Sequence, residues 1–327
     1  SAGEEAQAAL PFRALGEARV SADALAGALQ RWRSMWGARS SLQLPLHRAA
    51  RTQGLLRPLT LPGGGLQQRA KSESKRIFEA LKSNKEGLSK QLDTVLRNSH
   101  DMRIFGVGFV RSCASLAEYR HFMTAHYHFY AALEDALDAQ DRESAAGRLW
   151  HACPELHGAT AKLREDLEIV GVDAVSSALS PATADYVAGI RQAAASEGGT
   201  MLISHFYTRY LADLFGGSML GYPTRVALGL PAEAPHFYRF PSNVEGQRGE
   251  YIEHVYSSIN KEGERLDEHT NGLLVEEARA AFGHNASVYA ERPRFYLGAM
   301  AGGANIARGL LGQRFFGDKH GAVAPTN

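Results

Sequence analysis

An all-α fold is predicted for this chain of 327 residues, a helical bundle with extensions at both ends. Apolar residues recur at three- and four-residue spacing from about residue 72 onward, the period that lines one face of a helix. Several of these runs open on helix-start residues, and no segment sustains the period-two alternation of a half-buried strand.

The elements follow in order. Ser21–Trp36 reads as a short amphipathic helix, with Leu25, Leu29 and Trp32 on one face and Ser21 placed to cap it. Residues 41–68 carry Pro45, Pro58, Pro62 and Gly63-Gly64-Gly65 without helical period, which predicts an extended connector. Residues 72–97 place Ile77, Leu81, Leu88, Leu92 and Val95 at helical spacing. A helix over 115–140 begins with the capping box Ser115-Leu-Ala-Glu118. Helices over 155–170 and 180–196 come next, the second with Pro181 in the first turn, where no N–H is lost. The stretch 201–220 is amphipathic with Gly216-Gly217 inside it, and two further helices cover 244–261 and 270–290. Phe295–Phe316 comes nearest to a spanning segment, yet Arg308 and its many glycines predict a packed amphipathic helix instead. The expected organisation is an N-terminal extension over 1–71, a helical domain over 72–290 and a C-terminal extension over 291–327.

An apolar content of 44% against 22% charged residues supports a sizeable core. A net charge of +1 gives no general attraction to nucleic acid or to acidic membranes. Locally the balance differs. Arg48, Arg51, Arg57, Arg69, Lys71, Lys75 and Arg76 stand against one acid, Glu73, and this basic arm reads as a solvated linker, as an arm that wraps an acidic partner or as the residue of an organelle-targeting segment. Cys113 and Cys153 stand far apart with no CxxC and are read as buried thiols. There is no phosphate-cradling glycine loop and no Ser-His-Asp signature.

The chemistry concentrates in Tyr207-Thr-Arg209-Tyr210-Leu-Ala212-Asp213-Leu-Phe215-Gly216-Gly217. A glycine pair inside a helix costs roughly 1 kcal/mol per residue against alanine, and a flat ligand against the backbone is one reason to keep it. This run resembles the distal-helix signature of haem oxygenases. Three further blocks extend the resemblance over about 85–290: Lys90 to Arg103, Tyr127-His128-Phe129-Tyr130-Ala-Ala-Leu133-Glu134, and Pro154 to Leu167. It implies the all-α fold, a haem held between a proximal and a distal helix, and O₂-dependent opening of that haem to biliverdin, iron and CO.

The residues depart from that pattern where the haem would be held. Ten residues before Arg103, where the family has its proximal histidine, stands Asp93, a hard oxygen ligand that disfavours O₂ activation. His100 is about two turns away. Glu86, Glu250 and His254 fall where the family's cations meet the propionates, and a unit charge pair at 4 Å is worth on the order of 4 kcal/mol at an effective dielectric of 20. Tyr207 is kept as a propionate contact, and Asp213 and Gly216-Gly217 as the distal acid and hinge. Ala212 replaces a glycine, and Phe215 a small residue, so that Phe215 either fills the haem volume or faces the core.

Three readings follow. The preferred one is a catalytically inactive member with a vestigial pocket and no cofactor expected. It acts as an accessory subunit or docking module that meets other protein subunits through 1–71 and 291–327, in a mitochondrion or plastid. The alternative is a working haem oxygenase with Asp93 or a displaced histidine as ligand. The third is a di-iron oxidase resting on Glu118-Tyr-Arg-His121, an E-x-x-H that needs further carboxylates.

Overall fold

The computed structural model describes residues 80–99 and 104–316. The predicted helix at 21–36, the basic arm, His100 and residues 317–327 lie outside them. The described residues fall in a compact unit spanning Pro62–Asn327 and form twelve α-helices and no strand, as the spacing predicts. In order these are α1 (Gly87–Ser99), α2 (Phe105–Ser112), α3 (Leu116–Asp138), α4 (Ala145–Ala152), α5 (Ala159–Ile169), α6 (Pro181–Ala195), α7 (Leu202–Phe206), α8 (Ser218–Leu228), α9 (Ser242–Gly246), α10 (Arg248–Arg265), α11 (Glu268–Ala290) and α12 (Phe295–Phe316).

Local chemistry accounts for the starts. Ser115 Oγ accepts from the Glu118 amide ahead of α3, Ser180 Oγ from Thr183 ahead of α6, and the Asp267 carboxylate from Thr270 ahead of α11. Each satisfies one of the unpaired amides of a first turn. The helix predicted over 72–97 is interrupted: Ser83–Lys85 is a 3-10 turn, Glu86 is extended, and α1 begins only at Gly87. Gly87 has φ +57°, and a Cβ there would meet the Asn260 side chain at 2.8 Å. Asn260 replaces a local cap, its Oδ1 accepting from the Ser89 amide at 2.8 Å and its Nδ2 donating to the Ser83 carbonyl at 2.8 Å.

The long helix α3 is the axis of the core. It packs against α5 and α6, and buries Tyr119, Phe122, Met123, Phe129, Tyr130, Leu133 and Leu137. Helix α1 lies against α10 and α11, and α7 against α3 and α11. Cys113 and Cys153 are buried free thiols, and burial pushes them up to about 11 and about 12.

At the C-terminal end, Arg292 donates to Glu118 at 2.9 Å while its carbonyl accepts from Arg111 at 2.8 Å. One prediction is corrected beside it. Helix α12 is not amphipathic: its glycine edge packs on α2 and α8, and its other edge is also apolar.

Candidate functional site

The predicted helix over 201–220 is not a single helix. After α7, residues Tyr207–Leu211 and Asp213–Gly217 form two wide π-turns before α8 resumes. Turns of this kind re-aim side chains and recur at functional sites. The distortion starts well before the glycine pair, and Tyr207, Thr208, Arg209, Tyr210 and Leu211 are all buried.

On the proximal side, α1 aims Asp93 into the interior, where it is 1% exposed. The hydroxyls of Tyr207 and Tyr256 both donate to its Oδ1, at 2.6 and 2.7 Å. Burial raises the Asp93 pKa above the usual carboxylate range, and the two tyrosine hydrogen bonds oppose that rise. Burial likewise pushes both tyrosines up, so they stay neutral donors at all physiological pH. Three elements far apart in sequence thus meet on one oxygen.

On the distal side, the Tyr130 hydroxyl of α3 donates to Asp213 Oδ2. Arg209 Nη2 stands 4.0 Å from Asp213 Oδ1, Nε donates to Tyr130 Oη at 3.3 Å, and Nη1 donates to Asn285 Oδ1 at 2.7 Å. The guanidinium also lies over the Phe129 ring at 4.7 Å, a cation–π contact that helps hold a desolvated charge. Burial pushes Asp213 up to about 6 against the pull of Arg209. Beside this set, Glu134 caps α5, accepting from Ala159 N at 2.9 Å and Thr160 N at 3.0 Å, and binds the Tyr210 hydroxyl at 3.1 Å.

The remaining predicted positions separate. Phe215 is half-buried against the core, its ring 6.3 Å from that of Tyr256, so it leans toward the cluster on Asp93. Ala212 is exposed. A Cβ on Gly216 would find no heavy atom within 4 Å, so no protein neighbour demands glycine there. Gly217 closes the second π-turn. Glu86 and Glu250 are exposed, and His254 Nε2 lies 2.7 Å from the Ala152 carbonyl. The E-x-x-H pair is engaged elsewhere: Glu118 meets Arg111 at 3.0 Å and Arg292 at 2.9 Å, and His121 faces Glu291 at 3.6 Å. Among the described residues no three His, Cys, Asp or Glu side chains converge as metal ligands. Sequence reasoning missed Tyr256. Its spacing with Ile252, Val255 and Ile259 marks it as inward-facing, but nothing local names Asp93 as its partner.

The donor set on the proximal side does not fit haem. The side chain at the family position is a carboxylate whose Oδ1 already accepts two hydroxyl hydrogen bonds, and acids stand at two anchor positions where propionates call for cations.

An all-helical bundle in which a π-distorted, glycine-bearing segment packs across from α1 is the architecture that the sequence resemblance implies. The heme oxygenase family matches residues 86–291, and the chain belongs to that family. It is 34% identical over 204 residues to heme oxygenase 2 of Synechocystis, covering 61% of this chain and 78% of that protein. Human heme oxygenase 1 is 29% identical over 219 residues, covering 66% and 71%. The crystal structure of the Synechocystis heme oxygenase-2 in complex with heme and NO matches with a TM-score of 0.54 and 28% identity, over 70% of this chain and 88% of that one. Heme oxygenase 2 from Chlamydomonas reinhardtii, solved without heme, has the same fold, with a TM-score of 0.57 at 20% identity over 64% of this chain and 98% of that one.

Proposed function

We propose that this chain is a haem-oxygenase family member that does not turn over haem and serves as an accessory or docking subunit of an organellar assembly. The observation that carries the reading is the Asp93 carboxyl, buried and bonded to Tyr207 and Tyr256 where the family places its iron ligand. A carboxyl so engaged contributes to holding α1, the π-turn segment and α10 together, and its release toward a metal leaves two buried hydroxyls without partners. Acids in place of propionate cations act in the same direction. Partner contacts are assigned to 1–71 and 291–327, and the organelle to the acid-poor, Arg-containing arm.

One observation favours the second reading, a working haem oxygenase. The distal set of Tyr130, Arg209 and Asp213 is complete, and the space beside Gly216 is open. Hemin titration of the purified protein separates the two. The expected result is no sharp Soret band and no biliverdin with O₂ and a reductant, with a band gained by Asp93→His. Biliverdin formed by the unmodified chain refutes the first reading and establishes the second.

A further inference from the structure

Helix α12 has one edge packed as tightly as backbone permits. A Cβ on Gly302 would lie 1.8 Å from the Val110 carbonyl oxygen, and one on Gly309 2.3 Å from that of Val226. Glycine is required at both positions, because α2 and α8 occupy the space a side chain needs. The opposite edge faces solvent. It carries Leu297, Met300, Ala301, Ala304, Ala307, Arg308 and Leu311, with Leu297, Met300 and Leu311 exposed by 63%, 50% and 47%. Tyr296, at the start of the same helix, is 67% exposed. A helix apolar on every side belongs to an interior, so this edge implies a cover.

We propose that the cover is a second copy of the chain, its α12 packing antiparallel across Ala304 in a two-fold dimer. A two-fold interface must complement itself, residue i meeting j while j meets i. Any heptad-like stripe has symmetric spacing about its midpoint; the identities carry the argument here. Reflected about Ala304, Leu297 falls level with Leu311 of the partner subunit, Ala301 with Ala307 of the partner subunit, and Met300 with Arg308 of the partner subunit. Large residues meet at the two ends, and three alanine levels at the centre let the backbones approach.

Charge permits this pairing. The helix contains no acid, so no carboxylate is buried unpaired, and the single charged residue of the stripe is Arg308. Two copies of Arg308 stand eight residues apart along the shared axis, about 12 Å, beyond the roughly 8 Å screening length of physiological salt. Each guanidinium stem lies along a methionine rather than another cation. Size sets the strength. A 22-residue helix is about 33 Å long and presents a strip about 10 Å wide, well under the roughly 800 Å² per partner of a standard interface. The dimer is therefore weak and reversible. The inference stands apart from the haem reading, since hemin titration and self-association fail independently.

Sedimentation velocity of the full chain over a concentration series tests it. The expected result is a concentration-dependent dimer. Leu297→Asp with Leu311→Asp sets like charges level with each other and weakens the dimer at least tenfold. Leu297→Lys with Leu311→Asp sets opposite charges level and recovers part of that loss. Ala304→Cys meets itself on the two-fold axis and forms a disulfide-linked dimer on mild oxidation, with Cys113 and Cys153 silent because both are buried. A chain that stays monomeric at every concentration and gives no Ala304→Cys cross-link sinks the proposal, as does a dimer indifferent to both charge pairs. Binding to phosphatidylcholine–phosphatidylglycerol vesicles, abolished by Leu297→Asp without any self-association, assigns the face to lipid instead.

Discussion

The two halves of the pocket region solve the same problem, a buried carboxylate, in opposite ways. Asp213 on the distal side keeps a cation near it: Arg209 stands 4.0 Å away, itself held by Tyr130, Asn285 and the Phe129 ring. Asp93 on the proximal side is held chiefly by hydroxyls, one from the π-turn segment and one from α10, with Arg97 and the Asn84 side chain acting more weakly on it. A cation-supported acid is embedded in a network that is complete without any ligand. A hydroxyl-supported acid is a junction between separate elements, and its loss disconnects them. On the function proposed above, the proximal half is the one that has exchanged a ligand-binding role for a structural one.

The largest expected effect breaks the proximal junction. Asp93→Ala leaves the Tyr207 and Tyr256 hydroxyls buried without an acceptor and opens space between three elements, at a cost of about 3 kcal/mol in the urea unfolding free energy. A loss below about 1 kcal/mol contradicts the structural role assigned to Asp93.

The distal acid gives a comparable but pH-dependent effect. Native Asp213 holds its proton up to about pH 6, whereas its ordinary value is 3.8. Between these values the folded chain binds more protons than the unfolded chain. The contribution of Asp213 to stability is therefore fully present below about pH 4 and is lost as the pH rises through 6. Two pH units correspond to about 3 kcal/mol at most. Asp213→Asn removes this dependence, so the variant's stability relative to the wild type increases from pH 4 to pH 7 when both are unfolded in urea. A constant difference across that range contradicts the raised pKa.

The smallest effect sharpens the comparison. Tyr256→Phe removes one of the two hydroxyl donors to Asp93 and retains the ring beside Phe215, so the expected cost is about 1 kcal/mol. With Asp93→Ala it forms a double-mutant cycle whose coupling energy measures the junction directly. Additive losses indicate that the hydrogen bond contributes nothing.

Particular residues mark how far the sequence could be read. Ser115, Ser180 and Pro181 announce the starts of their helices because capping is decided within four residues. The exchange of a histidine for Asp93 is visible from register alone. The break at Glu86 was hidden, since Gly87 is held by Asn260, a residue more than 170 positions away. The π-turns were hidden too, because the signal drew attention to Gly216-Gly217 whereas the widening starts at Tyr207.

What the sequence determined by itself was the all-α fold, the limits of α3, α6, α11 and α12 to within about two residues, and the identity of the acid at the proximal position. Helical periodicity and capping are short-range, so they survive being read along the chain. Tertiary structure decided what Asp93 does, which way Phe215 leans and which edge of α12 is left uncovered. Each of those depends on where a distant helix comes to rest, and packing free energy, not local propensity, sets that position.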